Sequence, residues 1–268
     1  MELGLDGKVA LVTGVNNPQW IGAATALALA AEGVKLGLVY KRIVRRYDEA
    51  ATDRDGIDRY VKANNGDASE VERQLRAVNA DFFVVESDIS DEAAVASIYA
   101  AAEARYGGVD ILVNNAAHYE DEHDTIASLT SDAIDQTFST NVRGTLLMIR
   151  EFVARRRGPG RIVNLSTDAA QTFAGQITYG ASKATIEAFT RSIAIEVGEH
   201  GITVNAVAPG PTQTGYIDEA TERRELPGIP LGRLGTPQDI ADTIVFLVSE
   251  RASWLTGQVI KVSGGHSL

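Results

Sequence analysis

Tyr179 and Lys183 stand four residues apart in the run Ile177-Thr178-Tyr179-Gly180-Ala181-Ser182-Lys183, and Ser166 lies thirteen residues before that tyrosine. Four residues is about one helical turn, so both side chains share a face. A free phenol titrates near pKa ~10. An ammonium one turn away favours the phenolate and draws its pKa toward the working range. A tyrosine so placed can give a proton to, or take one from, an oxygen whose carbon gains or loses hydride. Alone, Tyr-x-x-x-Lys also describes a solvated helix face, so its meaning depends on the elements around it.

Short apolar, β-branched runs predict strands over residues 8–13, 34–40, 82–86, 109–113, 161–165, 203–207 and 258–262. Helical patterns fill the gaps at 21–32 (closed by Gly33), 70–78, 92–106, 131–156, 179–199 and 236–249. The run Arg155-Arg156-Arg157 suits the negative end of a helix dipole. This alternation predicts one α/β domain over residues 1–268, a doubly wound parallel sheet of about seven strands with helices on both faces. The charged segment 42–67 reads either as a surface insertion near the adenosine end of a cofactor or as a solvated loop.

Composition narrows the function. Hydrophobic residues make up 44% of the 268, enough for a large core. No uncharged apolar stretch approaches ~18 residues, so no membrane span is expected. The N-terminal residues run straight into a strand and do not read as a signal peptide. There is no cysteine, which removes disulfides, thiolate metal sites and a cysteine nucleophile, and fits a cytoplasmic protein. A net charge of -11 argues against nucleic-acid binding.

In an open parallel sheet, ligands bind beyond the carboxyl ends of the strands, where strand order reverses. A pyrophosphate would lie at the first strand–helix turn, against the helix N-terminus. That turn is Thr13 to Ala23. Gly14 permits the sharp bend and Gly22 permits close approach, while Asn16, Asn17 and Gln19 can donate hydrogen bonds. After the second strand an NAD site usually carries a carboxylate for the ribose. Here Tyr40-Lys41-Arg42 stands instead, and two cations suit a 2′-phosphate, so NADP(H) is expected over NAD(H). Lys41 and Arg42 can also simply begin the charged segment.

From Gly7 to Gly265 the chain resembles the short-chain dehydrogenase/reductase family in its single-domain form, with a Rossmann-type fold. Thr13-Gly14 with Ile21-Gly22 is similar to the family's glycine-rich turn, and Asp88-Ile89 to the pair at the adenine ring. Asn114-Asn115-Ala116-Ala117 is similar to its Asn-Asn-Ala-Gly stretch, with Asn115 and Ala116 near the cofactor. Asn141 matches the active-site asparagine, and Tyr179 with Lys183 the catalytic pair. Pro209-Gly210 with Thr212 matches the turn beside the nicotinamide. Thr256-Gly257-Gln258 and Gly264-Gly265 match the C-terminal signature. Among members the chain looks most like the 3-oxoacyl-acyl-carrier-protein-reductase-like group.

Two departures stand out. The glycine turn is two residues longer than the family's, with Trp20 where the middle glycine belongs. The enoyl-reductase branch also lengthens this turn, but spaces its tyrosine and lysine further apart. The second departure concerns the hydroxyl. Counting back from Tyr179 selects Ser166, whereas counting along the strand from Arg161 selects Thr167. The reading leans slightly to Ser166 for its smaller side chain.

The resemblance implies reversible hydride transfer between a nicotinamide and a carbonyl or secondary alcohol, such as a 3-oxoacyl thioester or similar ketone. Tyr179 would be the acid or base, Lys183 would lower its pKa and hold the nicotinamide ribose, and Ser166 or Thr167 would bind the carbonyl oxygen. Asn141 would hold a water linking Lys183 to solvent. Residues 118–124, 168–178 and 211–230 should shape the substrate pocket, the last as a mobile lid. The acidic, histidine-containing loop 118–124 is not expected to bind a metal. The family's habit implies a homodimer or homotetramer through the helices near Ser131 and Tyr179. Other readings are a non-catalytic dinucleotide-binding sensor or scaffold, and an NAD-dependent diol, sugar or steroid dehydrogenase.

Overall fold

The computed structural model of the chain describes residues 2–119, 125–156 and 158–267. Seven strands form one sheet: β1 (Val9–Thr13), β2 (Lys35–Tyr40), β3 (Phe82–Glu86), β4 (Ile111–Asn114), β5 (Gly160–Leu165), β6 (Ile202–Pro209) and β7 (Val259–Val262). Neighbours pair in parallel in the order β3-β2-β1-β4-β5-β6-β7. Parallel pairs need crossovers. These are α1 (Ile21–Ala31), α2 (Ile57–Asn65), α3 (Ser69–Ala77), α4 (Glu92–Tyr106), α5 (Ser131–Phe138), α6 (Thr145–Arg155), α7 (Ile177–Val197), α8 (Glu219–Glu225) and α9 (Pro237–Val248). The single-domain doubly wound sheet expected from the sequence is the one formed.

Alternation along the strands divides the core in two. Ala10, Val12, Leu36 and Leu38 pack with Ala26 and Leu29 of α1 and Ile240 and Ile244 of α9. Leu11, Val39, Leu112 and Ile162 pack on the other face with Ile98 of α4 and Met148 and Phe152 of α6. Local signals fix the helix ends. Gly33 follows α1 at φ +78, and Gly107 ends α4 at φ +84. Thr236 and Asp239 form a reciprocal capping box on α9. Strand order reverses at β1, which has β2 on one side and β4 on the other, so a crevice opens at the ends of β1 and β4.

Three features differ from the sequence reading. The helix expected over 131–156 is interrupted by a π-helical turn, Ser139–Gly144, between α5 and α6. Helix α8 forms within the segment expected as a lid. Within segment 42–67, α2 forms and the segment reaches further than an adenosine-end insertion would. Its charges pair outside, Lys62 with Glu49 and Arg59 with Asp55. The Asn16 amide donates to the Gly66 carbonyl (3.2 Å), and the Gly56 N–H to the Gly215 carbonyl (2.9 Å). The segment thus spans the crevice from the glycine turn to the stretch after β6. In the basic run, Arg155 pairs with Glu103 and Glu151 and Arg156 with Asp110, and Arg157 lies outside the described residues. Among the described residues no helix is long and apolar enough to cross a membrane.

Candidate active site

A cavity of about 1410 Å³ runs along the carboxyl ends of the strands, from Lys41 and Arg42 past Gly14 to Tyr179 and Thr212. Its floor is the glycine turn. Gly14 takes φ +73, and its N–H donates to the Val39 carbonyl (2.8 Å). The Asn115 amide donates to the carbonyls of Thr13 and Gly14 (2.9 Å each), and the N–H groups of Asn115 and Ala116 donate to Thr13 Oγ1 (3.0 Å each). The end of β4 is thereby stapled to the turn. A Cβ on Gly22 would lie 2.2 Å from the Gly14 carbonyl oxygen, so only glycine fits.

The longer turn redirects two expected donors. Asn17 does not line the cavity, and its Oδ1 accepts the Gln19 N–H (2.9 Å) to close the extra residues into a local turn. Asn16 reaches to α2. Trp20, at the N-cap of α1, stacks on Tyr60 at 4.9 Å and 24°, and its buried Nε1–H has no hydrogen-bond partner among the described residues. Helix α1 has no side-chain cap and no acidic residue in its first turn, where Ile21 faces the cavity. An uncapped, acid-free N-terminus beside a donor without a partner fits a dinucleotide pyrophosphate.

At the end of the cavity beside β2 and β3, Tyr40 lines the cavity, Lys41 pairs with Asp88 (2.5 Å), and Arg42 grips both oxygens of Glu86 (2.8 Å each). Burial raises the Asp88 carboxyl, but Lys41 and two bonds from Ser90 outweigh it and hold the pKa below its ordinary value. Lys41 and Arg42 are about half exposed, so their ion pairs are weak enough to exchange partners. Ile89 is buried beneath and packs where Gly144 has no side chain.

At the other end, α7 carries Tyr179 into the cavity wall. Lys183, buried below it, donates from Nζ to the Leu165 carbonyl (2.7 Å) and lies 5.4 Å from the Tyr179 ring centroid. Burial pulls the Lys183 amine down to about 7. Burial, with Tyr60 and Asp168 adding, pushes the Tyr179 phenol above its ordinary value. The sequence reading expects Lys183 to lower that phenol, but in the ligand-free chain burial raises it and the neighbouring Tyr60 and Asp168 raise it further. Tyr179 is therefore held protonated, the form a general acid needs.

The two candidate hydroxyls part company. Ser166 turns toward α7 and donates to Glu187 Oε1 (2.8 Å), whereas Thr167 lines the cavity. The lean toward Ser166 is thus corrected, because its hydroxyl is committed to a buried carboxylate. Asn141, in the π turn, accepts the His118 N–H (2.7 Å) and donates to the His118 carbonyl and to Ser182 Oγ (2.9 Å each). Ser182 in turn donates to the Tyr179 carbonyl (2.7 Å), so Asn141 ties the loop after β4 to α7, with both amide hydrogens used. Pro209 ends β6. The next residue must be Gly210, where a Cβ would stand 2.7 Å from Ser263 Cα, and Thr212 beside it donates to the Gly210 carbonyl (2.9 Å).

Of the other cavity residues, His118, Tyr119, Asp168, Phe173 and Tyr216 fall in the segments expected to shape the pocket, whereas Arg45, Tyr60 and His266 were not assigned to it by the sequence reading. His266 Nδ1 pairs with Asp168 (2.7 Å), whose carboxyl burial raises despite that histidine. Arg45 Nη2 meets His118 Nε2 (3.0 Å). A guanidinium only donates, so Nε2 accepts and the proton resides on Nδ1, facing Thr137 Oγ1 at 3.2 Å. Of the loop expected to be metal-free, residues 120–124 lie outside the described residues. Tyr60, Tyr119, Phe173 and Tyr216 add rings around Tyr179. No motif marks Arg45, Tyr60 or His266. Only the aromatic at i+3 from Ile57 in a charged helix hints at Tyr60.

The comparisons converge on this geometry. Residues 51–267 match the family profile described as "Enoyl-(Acyl carrier protein) reductase". An uncharacterized oxidoreductase of Bacillus subtilis is 32% identical over 96% of both chains. The NADPH-dependent aldehyde reductase 2, chloroplastic, of Arabidopsis thaliana is 35% identical over 97% of this chain and 94% of its own. The structure of a short-chain dehydrogenase/reductase from Serratia marcescens superposes with a TM-score of 0.83 at 26% identity, covering 98% of this chain and 99% of the other. Similarity of this extent, over a sheet order and a tyrosine–lysine helix already in place, makes the chain a member of the short-chain dehydrogenase/reductase family of oxidoreductases.

Proposed function

We propose that the chain interconverts a carbonyl and a secondary alcohol with NADP(H) in preference to NAD(H), with Tyr179, Lys183 and Thr167 as the catalytic set. The observation that carries this reading is that Tyr179 and Thr167 line the same cavity, with Lys183 buried and its Nζ 5.4 Å from the Tyr179 ring centroid. A bound nicotinamide would supply or accept hydride at the carbonyl carbon. Tyr179 gives its proton to the oxygen as charge develops there, and Thr167 donates a hydrogen bond to the same oxygen. Lys183 carries charge behind the phenol once Tyr179 has lost its proton. Asn141 fixes the geometry of His118 and Ser182 on either side.

Lys41 and Arg42 support NADP(H), because each can leave its exposed carboxylate for a 2′-phosphate. The Tyr179–Lys183 spacing favours a carbonyl over an enoyl substrate, and a ketone such as a 3-oxoacyl thioester suits the resemblance. Exposed apolar side chains on α6 and α7 (Leu146, Ile195) and near the C-terminus (Phe246, Trp254) support a homodimer or homotetramer. A fluorescence titration with NADPH and NADH side by side tests the cofactor. Tighter NADPH binding that Arg42→Ala weakens is expected, and NADH preference overturns it. Tyr179→Phe should retain cofactor binding and lose at least about a hundredfold in turnover. Binding of neither cofactor, or full turnover by that variant, overturns the enzyme reading.

A further inference from the structure

His266, beyond the last strand, reaches back into the cavity. Its Nδ1 pairs with Asp168 Oδ2 at 2.7 Å, and Ser267 Oγ stands 3.1 Å from the same nitrogen. Asp168 follows Thr167 in the chain, its N–H donates to the Pro209 carbonyl (3.0 Å), and its charge acts on the Tyr179 phenol. The Asp168 side chain is buried, so it anchors the imidazole from within. A carboxylate only accepts, so Nδ1 carries a hydrogen and Nε2 is the nitrogen left for other partners.

Glu225, the last residue of α8, is the carboxylate beside Nε2. Its Oε1 accepts from Arg224 Nε (2.9 Å), whereas its Oε2 lies 3.9 Å from His266 Nε2, too far for a direct hydrogen bond. Among the described residues neither Nε2 nor Oε2 has a hydrogen-bond partner, and His266, Glu225 and Arg224 all line the cavity. The 3.9 Å gap suits one bridging oxygen, because two bonds of about 2.8 Å to atoms so spaced meet at roughly 90°.

The charges around the gap decide which group carries that oxygen. Each carboxylate has its own cation, Asp168 feeling Lys261 and Glu225 holding Arg224, so an ion of either sign gains little there. An apolar group would strip water from His266 and Glu225 without replacing its bonds. A hydroxyl is neutral and can both give and accept. With the ring charged it accepts from Nε2 and donates to Oε2, and with the ring neutral it still donates to one of them.

We propose that His266 and Glu225 form a polar subsite that holds a hydroxyl of the substrate, so that hydroxylated ketones are favoured over the same ketones without the hydroxyl. This rests on the carbonyl-reductase reading above. His266 and Glu225 are then specificity-determining residues, and Asp168 positions the imidazole.

Butan-2-one and its 1-, 3- and 4-hydroxy derivatives, which set a hydroxyl at different reaches from one carbonyl, test this as substrates with the preferred nicotinamide cofactor. At least one hydroxy ketone should exceed butan-2-one by about tenfold or more in kcat/KM, the scale of one hydrogen bond to a charged group. A hydroxyl also activates a neighbouring carbonyl, so the variants decide. His266→Leu and Glu225→Leu should each cut the ratio to about threefold or less, and Glu225→Gln, which keeps an acceptor, should retain most of it. A ratio near one for all three in the parent overturns the proposal. So does a ratio that either leucine variant leaves intact while all four ketones slow together, the mark of a merely structural clasp. Glu225 ends a short, largely exposed helix, so its variant reports even where His266→Leu fails to fold. If no ketone turns over, the carbonyl-reductase reading fails separately, and saturation-transfer NMR of the same four compounds decides. Binding of a hydroxy ketone in preference to butan-2-one that Glu225→Leu weakens supports the subsite, and binding that is absent or unaffected sinks it.

Discussion

Ser166 and Thr167 are adjacent hydroxyls with opposite surroundings, and they can be told apart by two alanine variants. Where an extended strand passes Leu165, successive side chains leave on opposite sides. Ser166 turns to Glu187, which is buried and also accepts from Gln171 (3.0 Å), while Thr167 faces the cavity. Thr167→Ala removes a donor from the oxygen on which charge develops. Loss of such a donor costs roughly 10²–10³ in kcat, or about 2.7–4 kcal/mol. Thr167→Ser should recover most of it. Ser166→Ala instead leaves a buried carboxylate short of one hydrogen bond, at about 1–3 kcal/mol of stability. For a chain of this size that lowers Tm by roughly 2–12 °C, at about 2–4 °C per kcal/mol. Steady-state rates at saturating cofactor, with a thermal melt of each variant, separate the two. A hundredfold loss in Ser166→Ala at unchanged Tm, beside an active Thr167→Ala, would refute the assignment.

The buried lysine has its own signature in the ligand-free protein. Burial lowers Lys183 to about 7, against ~10.4 in the unfolded chain, so the fold bears the full cost of a buried charge below pH ~7. That cost fades as pH rises, because the folded amine turns neutral while the unfolded one stays charged. Lys183→Met should therefore stabilise the fold more at pH 6 than at pH 9.5, by about 2–4 kcal/mol, and a pH-independent difference in melting would contradict the burial argument. Gly22→Ala, whose Cβ would stand 2.2 Å from the Gly14 carbonyl oxygen, should cost about 1–3 kcal/mol and loosen dinucleotide binding. An unchanged melt and affinity would show that the turn does not need its glycine.

What the sequence made legible follows from which forces are local. Strand runs such as Phe82–Glu86 and capped helices such as Glu92–Tyr106 were readable to the residue, because period and caps are short-range signals. The π turn was not. Ser139–Gly144 contains no proline, its one glycine does not distinguish a π turn from a continuous helix, and within it Asn141 bonds to a loop 23 residues away. The sequence left Ser166 and Thr167 both open, with a slight lean to Ser166, for a related reason. Counting back from Tyr179 crosses a loop whose length is free to vary. Counting along β5 uses a fixed register, in which Leu165 pairs with Val207 of β6 and the Ser166 N–H continues the ladder to the Val207 carbonyl at 2.8 Å. The phenol was misjudged because charge proximity can be read from spacing and burial cannot.

The two departures from the family's pattern, a tryptophan in the glycine turn and a charged segment after β2, looked independent in the sequence. In the fold they touch. Trp20 stacks on Tyr60, and Asn16 of the same turn bonds to the end of the segment at Gly66. A bulky indole where the family keeps glycine needs somewhere to bury its face, and a helix laid across the crevice needs something to rest on. Each supplies what the other lacks. The added turn residues and the added helix are therefore coupled in the fold, and between them a chain of ring contacts reaches from the glycine turn to Tyr179. Ile57, Tyr60 and Val61, at helical spacing inside the charge-rich run, were the one trace of it in the sequence. A substitution at Trp20 should consequently perturb α2, and one at Tyr60 should perturb the glycine turn. The two together should cost less than the sum of each alone, as coupled neighbours do.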